Sequence, residues 1–504
     1  MASGKSNRKI TARTARSQSS DLVAVFSMPG LEEIAEPLFP YATSRSDAVA
    51  LVGYLAARPA TRSANALDME LTDRWMWDKV RSAAEQRGRL LPVNPPTFNK
   101  LHHLRRRVGE DLDRVLLEMQ DRFMAEAFKL ARQAGLADPA TVGDLLRPVR
   151  SNTLYADGTW WDPLSEVVID PETGEVFGSR AGSEHGPRVA EVQKTRKDGK
   201  QLKGIPFVMA GVRGDEQLQR VVLGLRRFAS PGLSGDGAET VAAMELLERV
   251  LAHSNGGLRW CVYDMAFQGA HLEQLGRLGV VGIAAMTAAA ENEAHLELSD
   301  TDDGPHRYNN DGRKARVATG SVRKATHRVD DRWCDHMLSG VDGSLRMHDL
   351  AASVKAQDPL CPIRDLVFEP TPHEGRFDMI ATFEVPCPHG PFTVKIELTG
   401  HLEGRSGPLT LNRVRPIHEY DPQFADLKGW RVDVESLNAT MKRVVPLDGR
   451  ATSLRPAEFE LDVLGSALWV NARCWDTHVA YVSHAAQEAK RLRDRRAANQ
   501  LPAA

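Results

Sequence analysis

The sequence predicts an α/β protein: a mixed sheet with flanking helices, interrupted by a β-rich insertion and preceded by an all-helical domain. Three observations predict it. Apolar residues recur at helical spacing from about Ala64 to Gly135. From Ser151 the rhythm changes to short β-branched and aromatic runs separated by helical stretches. Between about Ala290 and Gln423 helical patterning stops and alternating runs take over. At 504 residues the chain exceeds one ordinary core, so two or three domains are expected. A composition of 42% hydrophobic and 26% charged residues is that of a soluble globular protein. No apolar run reaches the length of a membrane helix, and no apolar signal-peptide core opens the chain. Five scattered cysteines argue against a disulfide framework, so a reducing cytoplasm is the expected setting.

The order of elements follows from breakers and caps. Residues 1–20 hold Lys5, Arg8, Lys9, Arg13 and Arg16 without an acid and read as a disordered basic tail. Residues 21–150 form the helical domain, suited to DNA binding or dimerisation. One helix spans Met69–Arg87 and stops at Gly88. After a Pro-rich loop, Thr97 caps a second helix whose stripe is Phe98, Leu101, Leu104 and Val108. Its other faces carry Lys100, His102, His103, Arg105, Arg106 and Arg107. A third, Glu110–Ala134, buries Leu112, Val115, Leu116, Met119, Phe123 and Leu130. Helix, loop and basic helix make a candidate DNA-reading element.

Residues 151–290 carry the first part of the α/β core. Asn152–Trp161 reads as a strand, with a hairpin about 170–174 and a buried strand at Gly204–Val212. A helix follows at Glu239–His253 with Val241, Met244, Leu247 and Leu251 on one face. Strand Arg259–Asp264, helix His271–Leu278 and strand Val280–Met286 complete this part. Residues 291–423 are the insertion, with strands at Phe377–Val385, Phe392–Leu398 and Leu409–Val414. Residues 424–485 return to the core through a helix at Gly429–Pro446, followed by helices at Leu461–Ala472 and Asp476–Arg493. Residues 486–504 form a basic tail with Lys490, Arg491, Arg493, Arg495 and Arg496.

The candidate chemistry lies in three acids. Asp157 falls within the run Leu154-Tyr155-Ala156-Asp157-Gly158-Thr159, and Asp264 ends the apolar strand Trp260–Asp264. Carboxylates are depleted from strands, so each needs a reason. On the helix at Gly429–Pro446, Trp430, Val434, Leu437, Met441 and Val444 form a buried stripe. Arg431, Glu435, Asn438 and Lys442 repeat the spacing one residue later and share a polar face. Convergent carboxylates repel unless cations intervene, and a pair of Mg²⁺ or Mn²⁺ ions supplies that charge. Such a pair activates a water or 3′-hydroxyl and stabilises the leaving oxygen of a phosphodiester. Arg431, Lys442 and Asn438 would then contact DNA phosphate.

These residues resemble the DDE transposases of bacterial insertion sequences, built on an RNase H-like core. Asp157-Gly158-Thr159 is similar to the first-strand motif, and Asp264 with Phe267 three positions on is similar to the second. Arg431-x3-Glu435-x6-Lys442 matches the last three letters of the Tyr-x2-Arg-x3-Glu-x6-Lys signature; Lys428 stands where tyrosine is expected, with Trp430 two residues on. The acids are 264 − 157 = 107 and 435 − 264 = 171 residues apart, the second gap leaving room for the insertion. The resemblance implies that Asp157, Asp264 and Glu435 hold two Mg²⁺ or Mn²⁺ ions. It also implies binding of terminal inverted repeats, end cleavage, strand transfer to target DNA, and a homodimer on DNA in the bacterial nucleoid. A catalytically inactive DNA-binding descendant and an RNase H-like nuclease without strand transfer are the alternatives. Two further features stand outside this scheme. Cys334-x-His336, Cys361 and Cys387-x-His389 offer zinc-ligand types, although their intervals are irregular. The Trp160–Trp161 pair suits either base stacking or a core role, and the sheet core is the favoured reading.

Overall fold

The computed structural model describes residues 19–480. Outside the described residues within that span lie 62, 163–166, 170–175, 179–191, 196–200, 229–237, 265–266, 268, 285–306, 309–313, 316–321, 342, 349–358, 374, 401–409, 412, 419–420, 446–450 and 454. Both basic tails, the hairpin turn at 170–174 and most of the helix expected at Asp476–Arg493 therefore fall outside it. The fold is mixed α/β with a helical N-terminal region, and it divides into two compact units.

The first unit comprises 1–137, 158–253 and 435–504. Among its helices are α1 (Arg45–Thr61), α2 (Ala64–Thr72), α3 (Arg74–Glu85), α4 (Phe98–Val108) and α5 (Leu112–Gln133). The sequence reading missed α1 because it is apolar nearly all round and lacks a polar face: Ala48 to Pro59 are all buried. The expected helix at Met69–Arg87 is two helices, because the Asp73 carboxylate accepts from Trp75 N–H at 2.9 Å and caps α3. Thr97 caps α4 as expected, accepting from Lys100 N–H at 3.3 Å. Phe98, assigned to the buried stripe, is 37% exposed, because it sits in the first turn of α4.

A long helix, labelled α10 below (Pro456–Trp475), closes this unit and is buried along most of its length. Asp462, 2% exposed in its side chain, receives Arg58 Nη1 and Arg105 Nη2 at 2.5 Å each. Arg105 thus leaves the basic surface assigned to α4 and becomes a core residue, since it alone of that basic run faces an acid across the bundle.

Strand β1 (Thr153–Trp161) contributes Gly158–Trp161 to the first unit. Trp161 is fully buried, edge-on to Phe207 at 5.1 Å and Phe459 at 5.8 Å, so it is a core residue. Gly158 is required by close approach: a Cβ there would collide with the Glu239 carboxylate. Strands β2 (Val192–Thr195), β3 (Gln201–Arg213) and β4 (Arg220–Arg227) follow, with β3 antiparallel to both β2 and β4. Sequence reading missed β4, whose arginine-flanked run VVLGL lacks alternation because its centre is buried on both faces. The pairing of β3 with β4 shifts register between Ala210 and Gly211, leaving Leu223 unmatched beside Val222. Asn471 of α10 bonds this backbone, accepting from Val222 N–H at 2.7 Å and donating to its carbonyl at 2.9 Å. Helix α6 (Ala238–Ser254) matches its expected span, although Val241, placed on its buried face, is 56% exposed in the first turn.

The second unit comprises 138–157 and 254–434. Here Thr153–Asp157 of β1 runs parallel to β5 (Trp260–Val262), which runs parallel to β6 (Val281–Ile283). The order through the main sheet is β2-β3-β1-β5-β6, with β4 on β3. Asn152 is fully buried and ties the start of β1, donating to the carbonyls of Asp138 and Gly257 at 2.8 Å. Helix α7 (Gly269–Arg277) connects β5 to β6.

The insertion contains two three-stranded antiparallel sheets: β7 (Val322–Val329), β8 (Arg332–Val341) and β9 (Ser344–His348), then β10 (Ile363–Pro370), β11 (Phe377–Val385) and β12 (Phe392–Glu397). The strand expected at Leu409–Val414 is not formed in its described part, which is a turn with a single bridge from Val414 to Gly343.

Two helices follow, α8 (Phe424–Gly429) and α9 (Arg431–Val444). Trp430, expected in the buried stripe of one continuous helix, instead sits half-buried at the break between them. Asp433, in the first turn of α9 and 4% exposed, forms a two-pronged pair with Arg150, Nε at 2.9 Å and Nη2 at 2.7 Å. This pair fastens the helix start to the segment entering β1. Asp433→Ala is expected to cost about 2–3 kcal/mol, because it strands a mostly buried guanidinium. A urea midpoint unchanged from wild type would refute that role.

Candidate active site

The geometry begins with strand register. Thr153 pairs with Trp260, Leu154 with Cys261 and Tyr155 with Val262. That offset is 260 − 153 = 107, and 264 − 157 is also 107; the paired register ends at Tyr155 and Val262, two residues before each aspartate. Paired residues of parallel neighbours project to the same face, with backbones about 4.8 Å apart. Both aspartates are half-buried, between the closed core and open solvent.

The loop after β5 holds Asp264 by packing. Tyr263 N–H donates to Ile283 C=O at 3.2 Å, and Phe267 N–H donates to Asp264 C=O at 3.2 Å. Phe267 is fully buried and stacks on Tyr263 with centroids 3.8 Å apart and planes 14° from parallel. The aromatic three positions beyond the acid therefore acts as an anchor for the turn that presents it.

Asp264 lines a small cleft of about 20 Å³ with Val262, Tyr263, Ile283, Ala284, Phe424, Lys428 and Arg431. The floor is apolar, and the rim carries one carboxylate and two cations. Lys428 is exposed and Arg431 half-buried. Both belong with Asp264 to the second unit. Sequence reading treated Lys428 only as a departure from an expected tyrosine; in the structure it lines the same cleft as Arg431.

The remaining residues fall on the part of α9 assigned to the first unit. Glu435 is exposed and Lys442 half-buried. Asn438 corrects an expectation: it is 8% exposed rather than part of an open polar face. It lies four residues after Val434 and three before Met441, both buried, so the helical turn carries it to the apolar side. Structure thus sets the two aspartates at the same offset beyond the paired residues of β1 and β5, and places Lys428 and Arg431 with Asp264 in one cleft.

No helix among the described residues is long and apolar enough to cross a membrane. In comparisons with known proteins, no family model and no curated protein matches the chain.

Proposed function

We propose that the chain is a metal-dependent DNA transposase that binds the terminal repeats of its element, cleaves at the ends and joins the 3′-hydroxyls to target DNA. The observation that carries this reading is the parallel pairing of β1 with β5, because Asp157 lies two residues beyond the last paired residue of β1 and Asp264 two residues beyond that of β5. Two carboxylates so placed repel each other, and their donor set suits a hard divalent cation with oxygen ligands. The sheet supports the RNase H-like part of the reading: the antiparallel pair β4 and β3 shares one sheet with the parallel set β1, β5 and β6.

Asp157 and Asp264 would hold the metals, with Glu435 the third acid. Bound there, two Mg²⁺ or Mn²⁺ ions supply Lewis-acid charge to the attacking and leaving oxygens of the phosphodiester. The chain's own cations do the positioning. Arg431 and Lys428 grip phosphate oxygens on the cleft rim, and Lys442 makes a further phosphate contact. The exposed residues His102, His103, Arg106 and Arg107 of α4 form the basic surface for the repeat. Joining two ends calls for a homodimer on DNA.

The test is to incubate the full chain with labelled duplexes taken from the flanks of its gene, with and without Mg²⁺. Joined product supports transposition, nicked product alone a nuclease, and a shifted but intact duplex a binding protein; no binding at all refutes all three. Arg431→Ala should weaken end binding and lower the salt slope by about one unit. A slope equal to wild type would remove Arg431 from phosphate contact.

A further inference from the structure

The insertion carries a cluster that the proposed chemistry does not use. His327, Cys334, His336 and Cys387 each offer a ligand atom, and all four atoms lie within 4.8 Å of one another. Strand register explains three of them. His327 of β7 is the direct partner of Cys334 on β8, and His336 lies two residues further along β8 on the same face. Cys387 comes from the other sheet, on the turn that follows β11, where Cys387 N–H donates to Val385 C=O at 2.9 Å and Gly390 N–H to Cys387 C=O at 3.0 Å.

The cluster is built and shielded. Cys334, His336 and Cys387 are buried and His327 is half-buried. Phe392 stacks on His327 with centroids 3.9 Å apart, fixing the imidazole plane. Nε2 of His327 is buried and has no hydrogen-bond partner in the protein, which is costly for a ring nitrogen unless something else coordinates it. Two thiols and two imidazoles are the donor set that selects zinc over Mg²⁺ or Ca²⁺. Zn–S bonds of about 2.3 Å and Zn–N bonds of about 2.0 Å set ligand atoms about 3.3–3.8 Å apart in a tetrahedron, which small side-chain rotations reach from the present spacing.

We infer that His327, Cys334, His336 and Cys387 form a structural zinc site that fastens the two three-stranded sheets of the insertion to each other. Four protein ligands close the coordination shell, so the ion takes no part in phosphodiester chemistry. Small sheets of three strands bury little apolar surface by themselves, and a metal clip is one of the usual remedies. Two residues of the sequence-level set drop out: Cys361 is buried elsewhere, its N–H bonded to Leu345 C=O, and His389 is exposed. His327 is the ligand that reading missed, because its partner lies across a hairpin.

The test uses the full chain purified without chelator. Roughly one zinc per chain is expected by mass spectrometry. Cobalt substitution should give a tetrahedral spectrum with a thiolate charge-transfer band. Cys387→Ser and His327→Ala should each lower zinc content at least about tenfold, whereas Cys361→Ser should retain it. Circular dichroism on each variant separates loss of metal from loss of fold. The inference is overturned if the folded wild-type chain takes up no zinc on titration. Equal loss of zinc in Cys361→Ser would overturn it too, as would thiol counting that finds Cys334 and Cys387 joined as a disulfide.

Discussion

Asp157→Asn and Asp264→Asn, made separately in the full chain, are each expected to slow Mg²⁺-dependent DNA cleavage at least about a thousandfold, equivalent to about 4 kcal/mol of barrier. Asparagine keeps the size and one carbonyl of aspartate but removes the charge that binds a hard cation. End binding should persist, because the proposed phosphate contacts are those of Arg431, Lys428 and Lys442. Glu384→Gln is the control: its carboxylate pairs with Arg364 at 2.9 Å on an exposed strand of the insertion and should leave cleavage unchanged. Wild-type cleavage by either aspartate variant would end the case for that residue as a metal ligand. The proposed chemistry predicts that both fail together, since the register argument treats them as one pair.

Asp462→Asn is expected to destabilise the first unit by about 3–5 kcal/mol, the cost of breaking a buried ion pair from one side. The change leaves two guanidiniums, each 9% exposed in its side chain, facing a neutral amide. Replacing all three members with apolar residues of similar volume should recover much of that loss. The pH dependence has a definite sign. Burial alone would raise the Asp462 carboxyl, but the Arg105 and Arg58 guanidiniums outweigh it, together with hydrogen bonds from Thr452 and Arg105, and hold it below its ordinary 3.8. A carboxyl depressed on folding stabilises fully above its unfolded value and loses that contribution as pH falls through the folded one. Wild type and Asp462→Asn should therefore differ most above about pH 4 and converge in stronger acid. Parallel stability curves down to pH 2 would contradict this.

Legibility in the sequence tracked local signals. Thr97 announced α4, and the 3.6-residue rhythm of Leu112 to Leu130 announced α5, because capping and amphipathic periodicity act within a few residues. β11 at Phe377–Val385 was read to the residue, since its alternating burial matches its alternating side chains. Segments buried on every side were harder. α1 and β4 carry no polar face to set a phase, so nothing in the residues distinguished helix from strand from loop. In the site, Asp157 and Asp264 could be named from strand composition, and their equal offset from paired residues emerged only with the register. Asn438 changed standing because its spacing to Val434 and Met441 carries it to the apolar side of α9, which a face drawn from residue types alone does not show. Arg105 changed for another reason: its partner Asp462 lies 357 residues away and leaves no local trace.

That separation has a consequence during synthesis. Arg58 and Arg105 wait for a carboxylate 404 and 357 residues downstream. At about 5–20 residues per second, Arg105 leaves the ribosome roughly 20–70 s before Asp462 does. Throughout that interval the emerging helices hold apolar surface and two uncompensated cations that cannot yet be enclosed. The nascent front end is thus a natural client for a holding chaperone, and its maturation is timed by the completion of translation.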